Sequence, residues 1–266
     1  MLVREDRAGA IQGYQLAAMR AAAGGATLSL ALDVLSGRQQ SRWSEVITVE
    51  THDQSLEFAG GRLGPHRHIC AFFNGMDEQH RVLRSFIKDG FDRGERAFHI
   101  VDPELREEHL KRLGEAGIDV KEAMSSGQLQ VRPWEEAQLR EGRFDQHAML
   151  ALIEEVLQSG PAAGYSLTRF LTSMEWALLD KPGVEDLLQI EARFNYVAPN
   201  YDDPVICVYD LSKGFSSSVV VDVIRTHPVV IIGGVLQENP FFVPPDRFLL
   251  ELKERRSARE TVGIAY

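Results

Sequence analysis

Three acids, Asp102, Glu175 and Asp210, each stand where a short apolar run ends, and Phe72, Phe73, Trp176 and Tyr209 lie beside such ends. If the runs are strands of one open α/β sheet, their carboxyl ends line the crevice where ligands sit in that architecture. Gly233 and Gly234 follow another apolar run and would let a ligand approach the backbone. Such a rim suits a neutral or cationic small organic molecule. A polyphosphate would be repelled there unless a metal intervened.

Each of these residues also has a simpler structural use. Asp102 precedes Pro103 and can cap the next helix, which is worth about 1 kcal/mol. Asp210 can cap the segment after its strand, and Trp176 can pack while offering one hydrogen-bond donor. Glu191 and Asn195 are four apart on a predicted helix and share a face, aimed at the crevice or forming a surface hydrogen bond. His227, in Thr226-His227-Pro228, can cap a helix C-terminus or serve a ligand or pH role. His66, His68 and Cys70 alternate, so a strand would put them on one face, where zinc or copper could bind. Pro65 leaves His66 outside the strand and no fourth ligand is evident. No metal is assigned, and Cys70 reads as a small core residue. Ser216-Ser217-Ser218 lacks a GxSxG frame and reads as a helix N-cap. The sequence has no HExxH, no CxxC and no complete dinucleotide glycine set.

The turn after HICAFF is the most telling omission. A nucleotide-binding unit would place glycines and a Lys-Ser/Thr pair there, whereas this chain has Asn74-Gly75-Met76-Asp77-Glu78. One glycine, no lysine and two acids disfavour a triphosphate.

Alternating strand and helix patterns position these residues. Strands are predicted at His68–Phe73, Arg96–Val101, Leu129–Pro133, 167–174, Val205–Asp210 and Val229–Ile232. Helices are predicted at about 78–93, capped by Asp77 and ended by Gly94, and at 103–116, 145–159, 183–197, 216–225 and 248–256. This order predicts an α/β fold with a mostly parallel sheet covered on both faces. Residues 1–63 are alanine-rich and glycine-broken and read as a partly helical extension or arm, with a helix over 8–23 and a strand over 44–51. One domain is expected over 64–256, followed by a charged tail over 257–266.

The chain has 266 residues, a formal net charge of -10, and two cysteines in apolar runs. The acidity disfavours direct nucleic-acid binding and docking on anionic membrane. Two buried thiols suit a cytoplasmic protein better than a disulfide framework. No apolar run reaches membrane-spanning length, and the stretch from Ala21 to Leu35 lacks a convincing cleavage site.

In order, HICAFF, DRGERAFHIVD, SMEWAL, EARFN, ICVYD, RTHPVVIIGG and ENPFFVPP resemble the MEDS domain, the sensory domain of methanogen and methylotroph proteins and of the dichloromethane-responsive regulator. The resemblance spans about Pro65 to Arg256. It implies a RecA-like three-layer fold without working nucleotide motifs, no cofactor, and detection of a small molecule such as a hydrocarbon derivative. Glu175 and Trp176 fall where RecA-like ATPases hold their magnesium-linked acid. No output module is recognisable, so the expected partner is a regulatory protein or a second copy of this chain. The expected role is a non-enzymatic, small-molecule-sensing regulatory domain, with Phe72, Phe73, Asp102, Glu175, Trp176, Glu191, Tyr209, Asp210 and His227 as candidate ligand-binding residues. The alternatives are a nucleotide enzyme with a non-standard site and a structural pseudo-ATPase that assembles with relatives.

Overall fold

The computed structural model of the chain describes residues 56–263. The helix and strand expected over 8–23 and 44–51 lie outside the described residues.

A short hairpin, β1 (Glu57–Phe58) and β2 (Gly61–Arg62), precedes the first long strand, β3 (His68–Phe73). Then follow α1 (Met76–Asp92), β4 (Arg96–Val101), α2 (Arg106–Glu115), α3 (Val120–Ser125) and β5 (Leu129–Pro133). The second half runs through α4 (Gln146–Ala162), β6 (Thr168–Ser173), α5 (Leu187–Val197), β7 (Val205–Asp210) and α6 (Ser217–Thr226). It ends with β8 (Val229–Ile232), β9 (Val235–Glu238) and α7 (Pro245–Gly263).

The main sheet has seven strands in the order β5-β4-β6-β7-β3-β8-β9. Every pairing is parallel except β8–β9. This is the mostly parallel α/β sheet that the strand and helix alternation predicts. β9 is absent from that pattern: Gly233 and Gly234, both at positive φ, turn the chain back as an antiparallel edge. The glycines expected to open the crevice to a ligand are hairpin residues.

Period-two alternation divides the sheet residues between two cores. Ile69, Ala71 and Phe73 face the side covered by α1–α3, where Leu83, Phe86 and Leu113 are buried. Leu56, Phe58 and Leu63 of the β1–β2 segment join that core, so packed structure begins upstream of residue 64. Cys70, Phe72, Val205, Cys207 and Tyr209 face the other side, against Ile153, Leu157, Ile190, Phe194 and Val223 of α4–α6. α7 packs over this second helical layer through Phe248 and Leu252 against Ala192 of α5.

Local signals set most helix ends. Asp145 accepts hydrogen bonds from the N–H groups of His147 and Ala148 and so caps α4. Asp102 accepts from Glu104 N–H, Asp210 from Ser212 N–H, and Ser216 from Val219 N–H, all as capping groups. Asp77 departs from expectation. The cap position of α1 is Gly75, and Asp77 instead pairs with Arg112 at 2.7 Å. Among the described residues, no helix is long and apolar enough to cross a membrane.

Candidate functional site

The three rim acids do come together. Asp102, Glu175 and Asp210 line one small cleft of about 30 Å³, with Lys213, His80 and His109. Asp210 takes a backbone donor that a bound phosphate would use: its Oδ1 accepts the Gly75 N–H at 2.9 Å. The Asn74 N–H is likewise taken by the Glu78 carboxylate at 2.8 Å. Two backbone donors of this turn are therefore satisfied from within the chain, by groups that repel anions. Glu175 accepts the Asp210 N–H at 2.7 Å. Burial raises its pKa to about 7, and the Asp210 and Asp102 carboxylates add to that, while the hydrogen bond opposes it.

The aromatics expected behind these acids do not open onto the cleft. Phe73 is buried on the α1–α3 side, whereas Phe72, Trp176 and Tyr209 are buried on the other side. Trp176 stacks on Phe144 with ring centroids 4.4 Å apart, and Phe72 packs beside Tyr209. The strand pleat is the physical reason: adjacent residues such as Phe72 and Phe73 point to opposite faces. The nine candidates thus form a polar rim group and a buried group, with Phe73 in neither.

The buried group contains the densest chemistry. His68 begins β3, Cys207 and Tyr209 lie on β7, Glu191 lies on α5, and His227 caps the end of α6. The parallel register puts Cys70 beside Cys207, and the strand side chains face α4–α6, from which Glu191 and His227 meet them. Glu191 Oε2 is 3.1 Å from His68 Nε2, 3.2 Å from His227 Nε2 and 3.6 Å from Cys207 Sγ. Its other oxygen, Oε1, accepts the Tyr209 hydroxyl. Donor atoms of His68, Glu191, Cys207 and His227 all lie within 4.8 Å of one another and could hold a metal ion.

The far side of each imidazole is fixed. Asn195 donates to the carbonyls of Glu191, Ala192 and Thr226, which leaves its Oδ1 facing His68 Nδ1 at 3.2 Å. His68 Nδ1 must then carry the hydrogen. His227 Nδ1 donates to the Val223 carbonyl at 2.8 Å, which is the helix-capping bond expected of it. Burial pushes His68 down to about 4, helped by the neighbouring His227. Burial also opposes charge on His227, but Cys70, Glu191 and Cys207 outweigh it and hold the ring well above the usual histidine range. Burial disfavours the Glu191 carboxylate, yet His227 and His68 keep it ionised, well below the usual range. The Cys207 thiol is pushed up to about 12 by burial and by Glu191.

Beside this cluster lies a cavity of about 30 Å³ between the sheet and helices α4 and α5. Met149, Ile153, Met174, Trp176, Ile190 and Phe194 form its apolar wall, while His68, Glu191, Gln138 and Thr172 supply polar groups. The larger clefts, about 410 Å³ along α1–α2 and about 470 Å³ along α5–α7, are open grooves with charged walls.

Glu191 and His227 are thus legible in the sequence as candidates, and the surface hydrogen bond expected for Glu191 and Asn195 is a part-buried one, from the Asn195 amide to the Glu191 carbonyl. Cys207 escapes the sequence reading as a site residue. Its one available signal is the matched alternation of H-x-C-x-F and V-x-C-x-Y, which becomes informative only once β3 and β7 are known to be neighbours.

Among characterised proteins, the chain is 26% identical over 173 residues to the transcriptional repressor DcmR of Methylorubrum extorquens strain DM4. That match covers 64% of this chain and 62% of the repressor's length. Among solved structures it is similar to the KaiC-like protein PH0186 of Pyrococcus horikoshii OT3, with a TM-score of 0.42, 11% identity, and coverage of 62% of this chain and 71% of that one. It is also similar to the flagellar accessory protein FlaH of Methanocaldococcus jannaschii, with a TM-score of 0.36, 12% identity, and coverage of 65% and 76%. At these TM-scores neither likeness bears on function. The family model described as MEthanogen/methylotroph, DcmR Sensory domain matches residues 67–228, and the chain belongs to that family, MEDS.

Proposed function

We propose that this chain is a small-molecule-sensing regulatory domain with no catalysis of its own, acting on a transcriptional or signalling partner. The observation that carries the reading is the small, almost wholly apolar cavity beside Trp176 and Glu191. Its size favours a one- or two-carbon organic molecule. The filled turn at Gly75 and the three rim acids argue against a nucleotide as the ligand.

Signal transfer would pass through α5. This helix contributes Ile190, Glu191 and Phe194 to the cavity and Ala192 to the contact with α7. A ligand that prefers one position of α5 shifts the population of that position. The change would reach the outer surface along α7, where Leu250 is 58% exposed. The partner would be a regulatory protein or a second copy of this chain, in an intracellular setting.

The test is a thermal-shift and calorimetric titration with one-carbon alcohols and halocarbons, against Mg-ATP and Mg-GTP. At least one organic ligand should stabilise the chain, and Ile153→Phe, which fills the cavity from α4, should abolish that response. Overpacking should cost about 1–3 kcal/mol without preventing folding. Stabilisation by nucleotide alone, or organic binding that survives the filled cavity, contradicts the reading.

A further inference from the structure

We propose that His68, Glu191, Cys207 and His227 form a binding site for one tetrahedral divalent transition-metal ion, zinc being the best match. The inference goes beyond the sensing role and stands on the donor geometry alone.

Zinc binds nitrogen and oxygen at about 2.0–2.2 Å and sulfur at about 2.3 Å. Tetrahedral geometry then sets nitrogen and oxygen donors about 3.3 Å apart, and sulfur about 3.6 Å from either. The observed edges are 3.1 Å for His68 Nε2 to Glu191 Oε2 and 3.2 Å for His227 Nε2 to Glu191 Oε2. Those involving sulfur are 3.6 Å from Cys207 Sγ to Glu191 Oε2 and 3.7 Å to His68 Nε2. Four of the six donor–donor distances therefore match one coordination tetrahedron, and all six lie within 4.8 Å.

The hydrogen bonds behind the donors have the form that metal sites use. Both histidines donate Nδ1–H away from the centre, to Asn195 Oδ1 and to the Val223 carbonyl, so both Nε2 lone pairs point inward. Tyr209 holds the carboxylate oxygen not aimed at the centre. His227 Nε2 is buried and makes no well-aligned hydrogen bond, although Glu191 Oε2 lies 3.2 Å away.

With only His227 protonated, its Nε2–H faces Glu191 Oε2 at 3.2 Å without a well-aligned hydrogen bond, and the Cys207 S–H is left for His68 Nε2 at 3.7 Å. With both rings neutral, two lone pairs face one carboxylate oxygen, and the single Cys207 S–H can serve only one acceptor. With both rings protonated, two imidazolium ions would face each other at a tilt of 39° with centroids 3.9 Å apart. A divalent cation meets all four donors at once. Its charge balances one carboxylate and one thiolate, which leaves the buried site neutral. On binding, the thiol proton and any proton shared by Glu191 and the rings leave to solvent.

The cavity adjoins three of these ligands, His68, Glu191 and Cys207. A metal there would add a Lewis-acidic end to an otherwise apolar pocket.

The experiment loads the full chain with zinc, then with cobalt(II), after chelator treatment and dialysis. One metal per chain is expected by elemental analysis. The cobalt form should show tetrahedral visible bands and a near-ultraviolet thiolate charge-transfer band. Cys207→Ser should lose that band and weaken affinity at least tenfold, while Cys70→Ser keeps both. X-ray absorption of the zinc form should give one sulfur and three nitrogen or oxygen neighbours, which tests the site even if a variant fails to fold. The proposal is overturned if the folded chain takes up no metal, if Cys207→Ser keeps the charge-transfer band, or if the shell lacks sulfur. Organic-ligand binding by a metal-free chain would leave the sensing role intact and show the two ideas to be separable.

Discussion

The substitution Glu175→Gln removes a half-buried acid while keeping an oxygen able to accept the Asp210 N–H, now received at 2.7 Å. Burial lifts the Glu175 pKa from 4.5 to about 7 in the folded chain. The folded state therefore holds this proton more tightly than the unfolded state. The resulting stabilisation is fully present below about pH 4.5 and is lost as pH rises through about 7. At about 1.4 kcal/mol per pKa unit the loss is about 3 kcal/mol, reduced toward 2 by solvent at the partly exposed edge of the cleft. The glutamine amide cannot ionise, so the variant escapes the loss. Urea unfolding of both proteins near pH 4 and near pH 8 measures it. The two should nearly coincide at about pH 4, and the variant should be more stable by about 2–3 kcal/mol at about pH 8. A pH-independent difference, or a less stable variant at the higher pH, would refute the claim that this acid is held in a desolvated, acid-lined cleft.

Two further substitutions probe the scaffold that holds the site. Asp145→Ala removes the cap of α4, which forms one wall of the cavity, and should cost about 1 kcal/mol in chemical denaturation, with Asp145→Asn recovering most of it. Gly90→Ala places a Cβ 2.7 Å from Arg169 Cδ, where the guanidinium lies over Phe86 and pairs with buried Glu95. It should destabilise by about 1–3 kcal/mol, and an unchanged unfolding midpoint would show that Arg169 has room to move.

The sheet is readable in the sequence because its strands are short apolar runs bounded by polar turns. β3, β4, β5, β7 and β8 occupy the predicted residues. What stays hidden depends on neighbours. β1, β2 and β9 are short hairpin strands whose side chains lack a long alternating pattern. α3 is a single short helix after Gly117, and only Ala123 in it is buried. The rim acids can be found because a strand-end rule needs only local sequence. The buried cluster needs the β3–β7 pairing and the approach of α5 to β3, contacts between residues more than 100 positions apart such as His68 and Glu191, together with the meeting of α5 and the end of α6. Reading Phe72 and Phe73 as one wall fails because it sets aside the strand pleat.

The central claim is that a small organic ligand enters between the sheet and α4–α5 and is read out through α5. Hydrogen exchange of the full chain, with a stabilising one-carbon ligand and separately with Mg-ATP, tests it most directly. The account predicts added protection in α5 (Leu187–Val197) and along α7 from Pro245 with the organic ligand, and no change with nucleotide. Protection confined to the Asn74–Glu78 turn and the Asp210 loop on adding Mg-ATP would contradict it.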